Sequence, residues 1–402
     1  ITTNSLPQTF NRRVVAAALD AKPPLSLAFA IPDHPWYVGE GMAAVRIAMT
    51  VGVAGDSHGK LLEVKDRKAR PSAGSDFLKM PEKGKIFADL RVGFDIYEAA
   101  ELRANRGVAN RGMYLFGQGF LVEPGKASEL GLGVSEGIEQ HIRPYRNGRD
   151  ILARPRGLFA IDAFPLDQET LRQKYPKAFQ HLLSHVKPER DSNNRKSRRD
   201  RWWIFGEPLS TFRPLLENIS RYVVTVRVAK HRIFTFLDRD TIPESRLVVF
   251  ALEDAFFLGV LSSRVQELWA LRVGGWQGVG NDHVYNVTEC FDPFPFPTAT
   301  EAQKATIRDL AEELDALRKR VLAEHADLTL TGLYNVREKL AKGEALSAKE
   351  RDVHERGCVG LIHHLHDAID RAVADAYGWP ADLADDAILA RVVALNRERR
   401  AE

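Results

Sequence analysis

A run of alternating prolines and phenylalanines, Phe291-Asp292-Pro293-Phe294-Pro295-Phe296-Pro297, constrains the fold of this chain more than any other feature. Proline lacks a backbone N–H and has a fixed φ, so three closely spaced prolines end any helix or strand that reaches them. The periodicity of apolar residues also changes here. Short strand-like runs mixed with helical stretches precede the run, and the pattern after it is mainly helical. We therefore expect a mixed α/β part followed by a helical part.

The strands are expected before the proline run. Short apolar runs predict strands, and i, i+3, i+4 spacing predicts helices. The predicted helices in this part are 12–20 and 254–273, and the predicted strands are 25–31, 43–53, 159–161, 222–226, 233–236 and 247–251. Residues 32–37 are predicted to form a loop between the first two strands, because they contain two prolines.

Helical spacing dominates after the proline run. Five apolar residues there share one helix face, namely Ile307, Leu310, Leu314, Leu317 and Val321. Further helices are predicted at 347–377 and 384–400. The fold class is therefore α/β plus α.

Length and composition limit the class of protein. A chain of 402 residues is too long for one ordinary core, so two or three domains are expected. The sequence has no apolar run approaching the ~18 residues of a membrane helix. The two cysteines, Cys290 and Cys358, are far apart and suit a reducing cytoplasm. The chain begins at Ile1 with residues typical of a strand entering a turn, so an upstream half is expected to precede it.

Basic residues cluster although the net charge is only +3. Such clusters favour an anionic partner, and arginine or lysine beside asparagine can bind the phosphates and base edges of duplex DNA. The candidate DNA-binding residues are Arg146, Asn147, Arg149, Lys187, Arg190, Arg195, Arg198, Arg199, Arg227, Lys230, His231 and Arg232. A surface of solvated charges is the alternative.

Different contacts are expected within this set. Arg146 or Asn147 is expected to contact a base edge, and Lys230 and Arg232 are expected to contact phosphates. The neighbouring Trp202 and Trp203 are expected to pack in the core rather than to stack on bases.

Two patterns leave metal-dependent chemistry open. Asp33 followed by Glu63-Val64-Lys65 has the residue order of some metal nucleases, although such loose spacing recurs by chance. A helical segment holds His363, His366 and Asp367, which are more often a polar helix face than metal ligands. We predict no metal site.

The residues that methyl transfer to a DNA base requires are missing from the chain. It contains no Asn/Asp-Pro-Pro-aromatic tetrapeptide and no glycine-rich turn after a strong first strand. The glycine-rich segment at Gly278-Val279-Gly280-Asn281-Asp282 lacks the strand–helix context of a phosphate-binding loop. No catalytic residue is predicted.

An ordered set of segments nevertheless resembles the C-terminal part of large DNA adenine methyltransferases of the MmeI-like, single-chain restriction–modification group. It is also similar to defence methylases with TaqI-like specificity domains. The segments are ITTNSLPQTFNRR, IPDHPW, AAVRIAMTVG, HIRPYRNGRDI, VKPER, WWIFGEP, RYVVTVRVAKHR, LGVLSSRVQELWAL, GVGND, CFDPFPFP, LTLTGLYNV and AYGWP. They cover nearly the whole chain.

The resemblance implies three domains. Residues 1–66 would be the last strands of a Rossmann-like methyltransferase sheet, 67–297 a target-recognition domain and 298–402 a helical end. The S-adenosylmethionine site and the catalytic motif would lie upstream. Trp36 occupies the region where relatives place an aromatic that stacks on the extruded adenine, although it could equally fill the loop.

Two hypotheses of function follow from the resemblance. In the first, the chain recognises DNA sequence within an N6-adenine methyltransferase of a restriction–modification or phage-defence system. In the second, it is a non-enzymatic specificity subunit. Both require duplex DNA as a partner, and a methyltransferase half or subunit that this chain lacks. A metal nuclease built on Asp33, Glu63 and Lys65 is a third, more distant alternative.

Overall fold

Apolar strands and one N-terminal helix form the first of two units into which the chain divides in this computed structural model, Ile1–Glu98 and Ala99–Glu402. The structure describes residues 1–7, 9–36, 45–64, 79–93, 95–277 and 282–400. The predicted boundary at 66/67 lies outside the described residues. The predicted domain limits stay predictions.

The first unit is a five-stranded sheet with one helix. Its elements are β1 (Thr2–Thr3), α1 (Thr9–Leu19), β2 (Leu25–Trp36), β3 (Val45–Ala54), β4 (Gly59–Leu61) and β5 (Glu82–Gly84). The strand order is β1-β3-β2-β4-β5, in which only the β2–β4 pair is parallel. The truncated Rossmann-like sheet stays a prediction.

Strand β2 is longer than predicted. Its second half covers residues 32–36, which the two prolines had suggested to be a loop, so that prediction was wrong. The pairing with β3 resumes at His34 after a register shift that follows Ile31. A bulge of this kind leaves residues unpaired, so Pro32 needs no ladder hydrogen bond.

The second unit begins with short strands and helices. The elements before the proline run are β6 (Ala109–Arg111), β7 (Leu121–Val122), α2 (Pro124–Glu129), β8 (Ile142–Arg146), α3 (Gly148–Leu152), β9 (Phe159–Ile161), α4 (Gln168–Lys174), α5 (Pro176–His185), α6 (Lys187–Asp191), α7 (Lys196–Asp200), α8 (Arg213–Glu217), β10 (Arg221–Val226), β11 (Val228–Ala229), β12 (Phe234–Asp238), β13 (Ile242–Pro243), β14 (Leu247–Phe250), α9 (Ala255–Leu261), α10 (Arg264–Val273), β15 (Gly275–Gln277) and β16 (Asp282–Val284).

Three small sheets organise these strands. Their orders are β12-β10-β14-β6, β13-β8-β9-β7 and β11-β16-β15. The predicted strands at 159–161, 222–226, 233–236 and 247–251 are confirmed to within one or two residues. Strand β10 lies between β12 and β14, and alternate residues from Tyr222 to Val226 enter a buried apolar cluster with Leu247 and Val249. Burial on both faces explains why the buried residues of this strand are apolar apart from Thr225, whose hydroxyl donates to the Ile233 carbonyl.

The chain after the proline run is helical, as predicted. The helices are α11 (Glu301–Glu324), α12 (Leu330–Ala341), α13 (Ala348–Arg356), α14 (Val359–Tyr377) and α15 (Asp385–Arg399). Four of the five residues predicted to share the inner face of α11 are fully buried, and Leu310 is half-buried. The mixed α/β architecture with a helical C-terminus is therefore confirmed.

Two helices predicted as continuous are each divided. Residues 254–273 form α9 and α10, because Ser263 is extended and the Arg264 N–H donates to the Asp370 carboxylate at 2.7 Å. Residues 347–377 form α13 and α14, separated at Gly357 and Cys358. None of the helices that the structure describes is both long and apolar enough to cross a bilayer. A cytoplasmic location stays a prediction.

Candidate nucleic-acid interface

The first basic segment lies at the end of strand β8. Arg146 is half-buried and donates from Nη1 to the carbonyl of Tyr145 at 2.8 Å. Asn147 caps helix α3, because its Oδ1 accepts from the N–H groups of Arg149 (3.0 Å) and Asp150 (3.2 Å). A bidentate contact to adenine needs the amide oxygen as well as the nitrogen. The cap uses that oxygen, so Arg146 is the better base-contacting candidate of the two, and Arg149 is exposed beside it.

The second basic segment forms helices α6 and α7. Lys187 pairs with Asp191 at 2.6 Å, and Arg199 donates to the carbonyl of Asn193 at 2.6 Å. Arg195 is 67% exposed and lies 3.9 Å from Glu207. Trp202 is buried, and Trp203 packs against the same core and donates to the Leu166 carbonyl. The prediction that both tryptophans pack in the core is confirmed.

Arg190, in the same segment, does not reach a DNA surface. It is 1% exposed and donates to the carbonyls of Leu115 (2.8 Å) and Ile204 (3.3 Å). Burial lowers the pKa of its guanidinium. A side chain buried in this way has no path to a phosphate, so its assignment to DNA binding is corrected to a structural one.

The third basic segment follows strand β10. Lys230 pairs with Glu338 at 3.0 Å, and both Lys230 and His231 contact the side-chain oxygen of Asn335 on α12. Arg232 is 8% exposed and donates to the carbonyls of Val226 and His283. The phosphate contact expected of Arg232 is therefore replaced by a structural role. Lys230 remains half-exposed but already has an acidic partner.

A stack of aromatic and arginine side chains includes Arg198 of the second basic segment. The rings of Tyr114 and Phe116 are parallel within 13°, with centroids 5.4 Å apart. The Arg111 guanidinium covers Tyr114 at 4.8 Å, and that of Arg198 covers Phe116 at 3.6 Å. We call Arg111, Tyr114, Phe116 and Arg198 the arginine–aromatic stack. Stacking fixes the plane of a guanidinium and leaves its edge free to donate hydrogen bonds.

The stack borders a surface cavity of about 260 Å³. Tyr114, Phe116, Tyr145 and Arg246 contribute to its wall. Phe116 has a φ of 50° and is 39% exposed. A left-handed backbone at an exposed aromatic residue is costly and is most often kept at functional sites. Tyr145 near the end of β8 and Arg246 before β14 therefore line one cavity with the stacked rings although they are distant in sequence.

The sequence analysis missed Arg111, Tyr114, Phe116 and Arg246. The segment NRGMYLFGQGF contains them except Arg246, and its signal is two aromatics at alternate positions among three glycines, close to an arginine. The two rings are two residues apart in sequence and stack in the structure. The arginine–aromatic stack therefore had only a short local signal in the sequence. It was missed because no cluster of basic residues marks this segment.

The predicted site residues of the first unit do not form a catalytic centre in the described part of the chain. Trp36 is 42% exposed at the end of β2. Asp33 pairs with Arg46 at 2.6 Å, and Glu63 pairs with Lys79 at 2.8 Å. Lys65 lies outside the described residues. Basic partners on both carboxylates count against a metal-nuclease site here.

Metal ligation finds no support elsewhere among the described residues either. No group of three His, Cys, Asp or Glu side chains lies close enough there to hold a metal ion. His366 is buried and bonds the Tyr334 hydroxyl at 2.7 Å, while His363 lies 3.7 Å from Asp367. These residues pack helix α14. The glycine-rich segment 278–281 lies outside the described residues.

Comparison with solved structures shows which known fold this chain resembles. No family model and no curated protein matches the sequence. The type IIL restriction-modification enzyme MmeI, solved in complex with DNA, is similar with a TM-score of 0.71 and 16% identity over 100% of this chain and 49% of MmeI. The type IIG restriction endonuclease BpuSI gives a TM-score of 0.31 and 11% identity over 93% of this chain and 47% of that enzyme. This chain spans about half the length of MmeI, and it has an MmeI-like fold.

Proposed function

We propose that this chain recognises DNA sequence as part of an N6-adenine DNA methyltransferase in a restriction–modification or phage-defence system. The observation that carries the proposal is the likeness of the whole chain to part of MmeI, an enzyme solved with DNA bound. At this identity the likeness establishes the fold, and function has to be argued from the site.

The basic surface of the second unit supports a DNA partner. Arg149 and Arg195 are exposed, and Arg146 and Arg227 are half-buried with parts of their side chains at the surface. The Arg198 side chain is 10% exposed and lies 3.6 Å from Glu207, so it would first have to leave that carboxylate. Arginines near exposed aromatic edges can bind phosphates and base edges together. In this proposal Arg146 contacts a base, while Lys230 stays a phosphate candidate that would first have to leave Glu338.

The cofactor and the catalytic residues are proposed to lie outside this chain. A class I methyltransferase holds S-adenosylmethionine on a glycine-rich turn between a strand and a helix. The connection from β1 to α1, residues 4–8, contains no glycine, which supports placing the cofactor site outside this chain. Trp36 is the one residue here that we propose to lie near the target adenine, since it is an exposed aromatic at a strand end.

Salt-dependent binding to duplex DNA tests the proposal. Each phosphate that a cation neutralises releases counterions, so log K should fall linearly and steeply with log salt. We expect mobility-shift titrations of the 402-residue chain at two ionic strengths to show binding that weakens at the higher one. Absence of binding to any duplex, or binding that salt leaves unchanged, would contradict the proposal. Reading the gene upstream of Ile1 distinguishes a single-chain methyltransferase from a specificity subunit with a separate partner.

A further inference from the structure

Two arginines that face no acidic partner come together at the ends of strands β6 and β10. Arg111 ends β6 and donates from Nε to the carbonyl of Ser245 at 3.2 Å. Arg227 directly follows β10, and its backbone N–H donates to the carbonyl of Arg246 at 2.8 Å. Since Ser245 and Arg246 are neighbours in the chain, the backbone before β14 holds the Arg111 side chain and the backbone of Arg227 close together.

The charges of this pair are uncompensated. Within the described residues, no carboxylate forms an ion pair with Arg111 or Arg227, and no acceptor bonds the terminal nitrogens of either side chain. The pKa of Arg227 lies below its usual value, first because the side chain is partly buried and then because of the positive charge of Arg111. Like charges held together by the fold raise the free energy of the protein until an anion binds between them.

Tyr114 fixes the position of one member of the pair. The Arg111 guanidinium covers the Tyr114 ring, which is itself stacked on Phe116. Because Nε is bonded to a carbonyl and one face is covered, the terminal nitrogens of Arg111 are held in a defined direction. A guanidinium that is oriented before binding loses little conformational entropy when it binds.

We propose that Arg111 and Arg227 together bind a single backbone phosphate of duplex DNA beside the arginine–aromatic stack. This inference rests on the proposed function, since it assumes that DNA reaches this surface. A phosphodiester is an anion with two free oxygens, and it can accept from both guanidiniums and relieve their repulsion. A guanine edge also accepts from arginine, but it is neutral and would leave the repulsion in place.

The test is a salt series with double substitution. The probe is a duplex of random sequence, and the variants are Arg111→Gln, Arg227→Gln and the double variant. If one phosphate is shared, the double variant should lower the slope of log K against log salt by about one phosphate equivalent, not two. It should also weaken binding by about tenfold or more at low salt, as expected for a charge-assisted contact.

Controls separate charge from folding. Arg320→Gln removes one positive charge from the exposed face of α11, as each single glutamine variant does at the proposed site, and should keep the wild-type slope. Arg111→Lys with Arg227→Lys keeps both charges and should retain most of the slope. This pair of lysine variants also keeps the proposal testable if the glutamine variants lose their cooperative thermal unfolding.

The outcomes distinguish the two levels of inference. If the wild-type chain binds no duplex, the proposed function fails first. If it binds and the double glutamine variant behaves like Arg320→Gln, the shared phosphate site is refuted while DNA recognition stands. The last measurement is the change in the thermal unfolding temperature on addition of inorganic phosphate. Stabilisation by free phosphate that the double variant loses, with an unchanged DNA slope, would assign the pair to a small anion and overturn the proposal.

Discussion

At the scale of single residues, the arginines form two groups that differ in what their guanidiniums contact. Arg190 and Arg232 donate to backbone carbonyls inside the core, where water cannot satisfy those groups. Arg111 and Arg198 instead cover aromatic rings near the surface. A basic cluster in the sequence contains both kinds, because charge alone does not determine burial.

His283 is held neutral by its burial and by the adjacent Arg232. Its Nδ1 lies 3.0 Å from Nη2 of Arg232, and its Nε2 lies 2.7 Å from the Ala270 carbonyl. Burial, and then the charge of Arg232, lower its pKa from 6.5 to about 3. Between these values the unfolded chain binds a proton that the folded chain does not. The stability from this group is therefore complete above about pH 6.5 and is lost progressively as the pH falls towards 3.

We expect His283→Gln to make the stability of the protein less dependent on pH in this window. One such group contributes a slope of up to about 1.4 kcal/mol per pH unit to the free energy of unfolding. Urea unfolding at several pH values between 4 and 7 measures it, with the exposed His364→Gln as the matched control. Equal slopes in wild type and His283→Gln would show that the histidine is not held neutral by the fold.

At the scale of elements, apolar patterns predicted the strands and helices but not their breaks. The strand at 222–226 was predictable because it is buried on both faces and therefore consists mostly of apolar residues. The break before Arg264 involves the Asp370 carboxylate, which is distant in sequence. The break at Gly357 does have a local signal, because a glycine after basic residues is a common end of a helix. The candidate site was likewise only partly predictable from the sequence. Charge clusters revealed Arg198 and Arg227, whereas Arg111 is brought beside Arg227 only by the pairing of β6 with β14 and of β14 with β10.

Substitution of Gly357 by alanine tests whether packing imposes the break between α13 and α14. A Cβ at this position would overlap a methyl group of Leu333 and the Val353 carbonyl. We therefore expect Gly357→Ala to destabilise the protein by about 1–3 kcal/mol, as overpacking does. In an exposed helix the same change would stabilise by up to about 1 kcal/mol.

Gly360, in the first turn of α14, is the matched control. A Cβ there would have ordinary contacts, with the His354 ring at 3.5 Å. Gly360→Ala should therefore be neutral or stabilising in the same urea-unfolding measurement. A stabilising effect of both substitutions would mean that α13 and α14 can join without loss of packing against α12.

At the scale of the whole molecule, the second unit is closed by contacts between its two ends. The Asn396 amide on α15 donates to the carbonyls of Ala100 (2.8 Å) and Pro293 (2.6 Å), and its oxygen accepts from the Ala100 N–H at 3.0 Å. Asn105 donates to three carbonyls of the proline run, including that of Phe294 at 2.8 Å. Prolines cannot form a regular backbone ladder, so side-chain amides satisfy these carbonyls. The proline run thus separates two patterns in the sequence but lies inside one unit.

This closure predicts that residues 99–402 fold without the first unit. Every exposed basic residue of the proposed DNA surface lies within this range, so the fragment should also keep the salt-dependent binding of the full chain to duplex DNA. We expect cooperative thermal unfolding by circular dichroism and an unchanged slope of log K against log salt. A fragment that ends before α15, at residue 384, is the control. It should fail to unfold cooperatively, because the carbonyls of Ala100 and Pro293 lose their donor and the inner face of α15 is removed. If 99–402 folds but binds DNA with a smaller slope, residues 1–98 supply phosphate contacts that the basic segments do not account for.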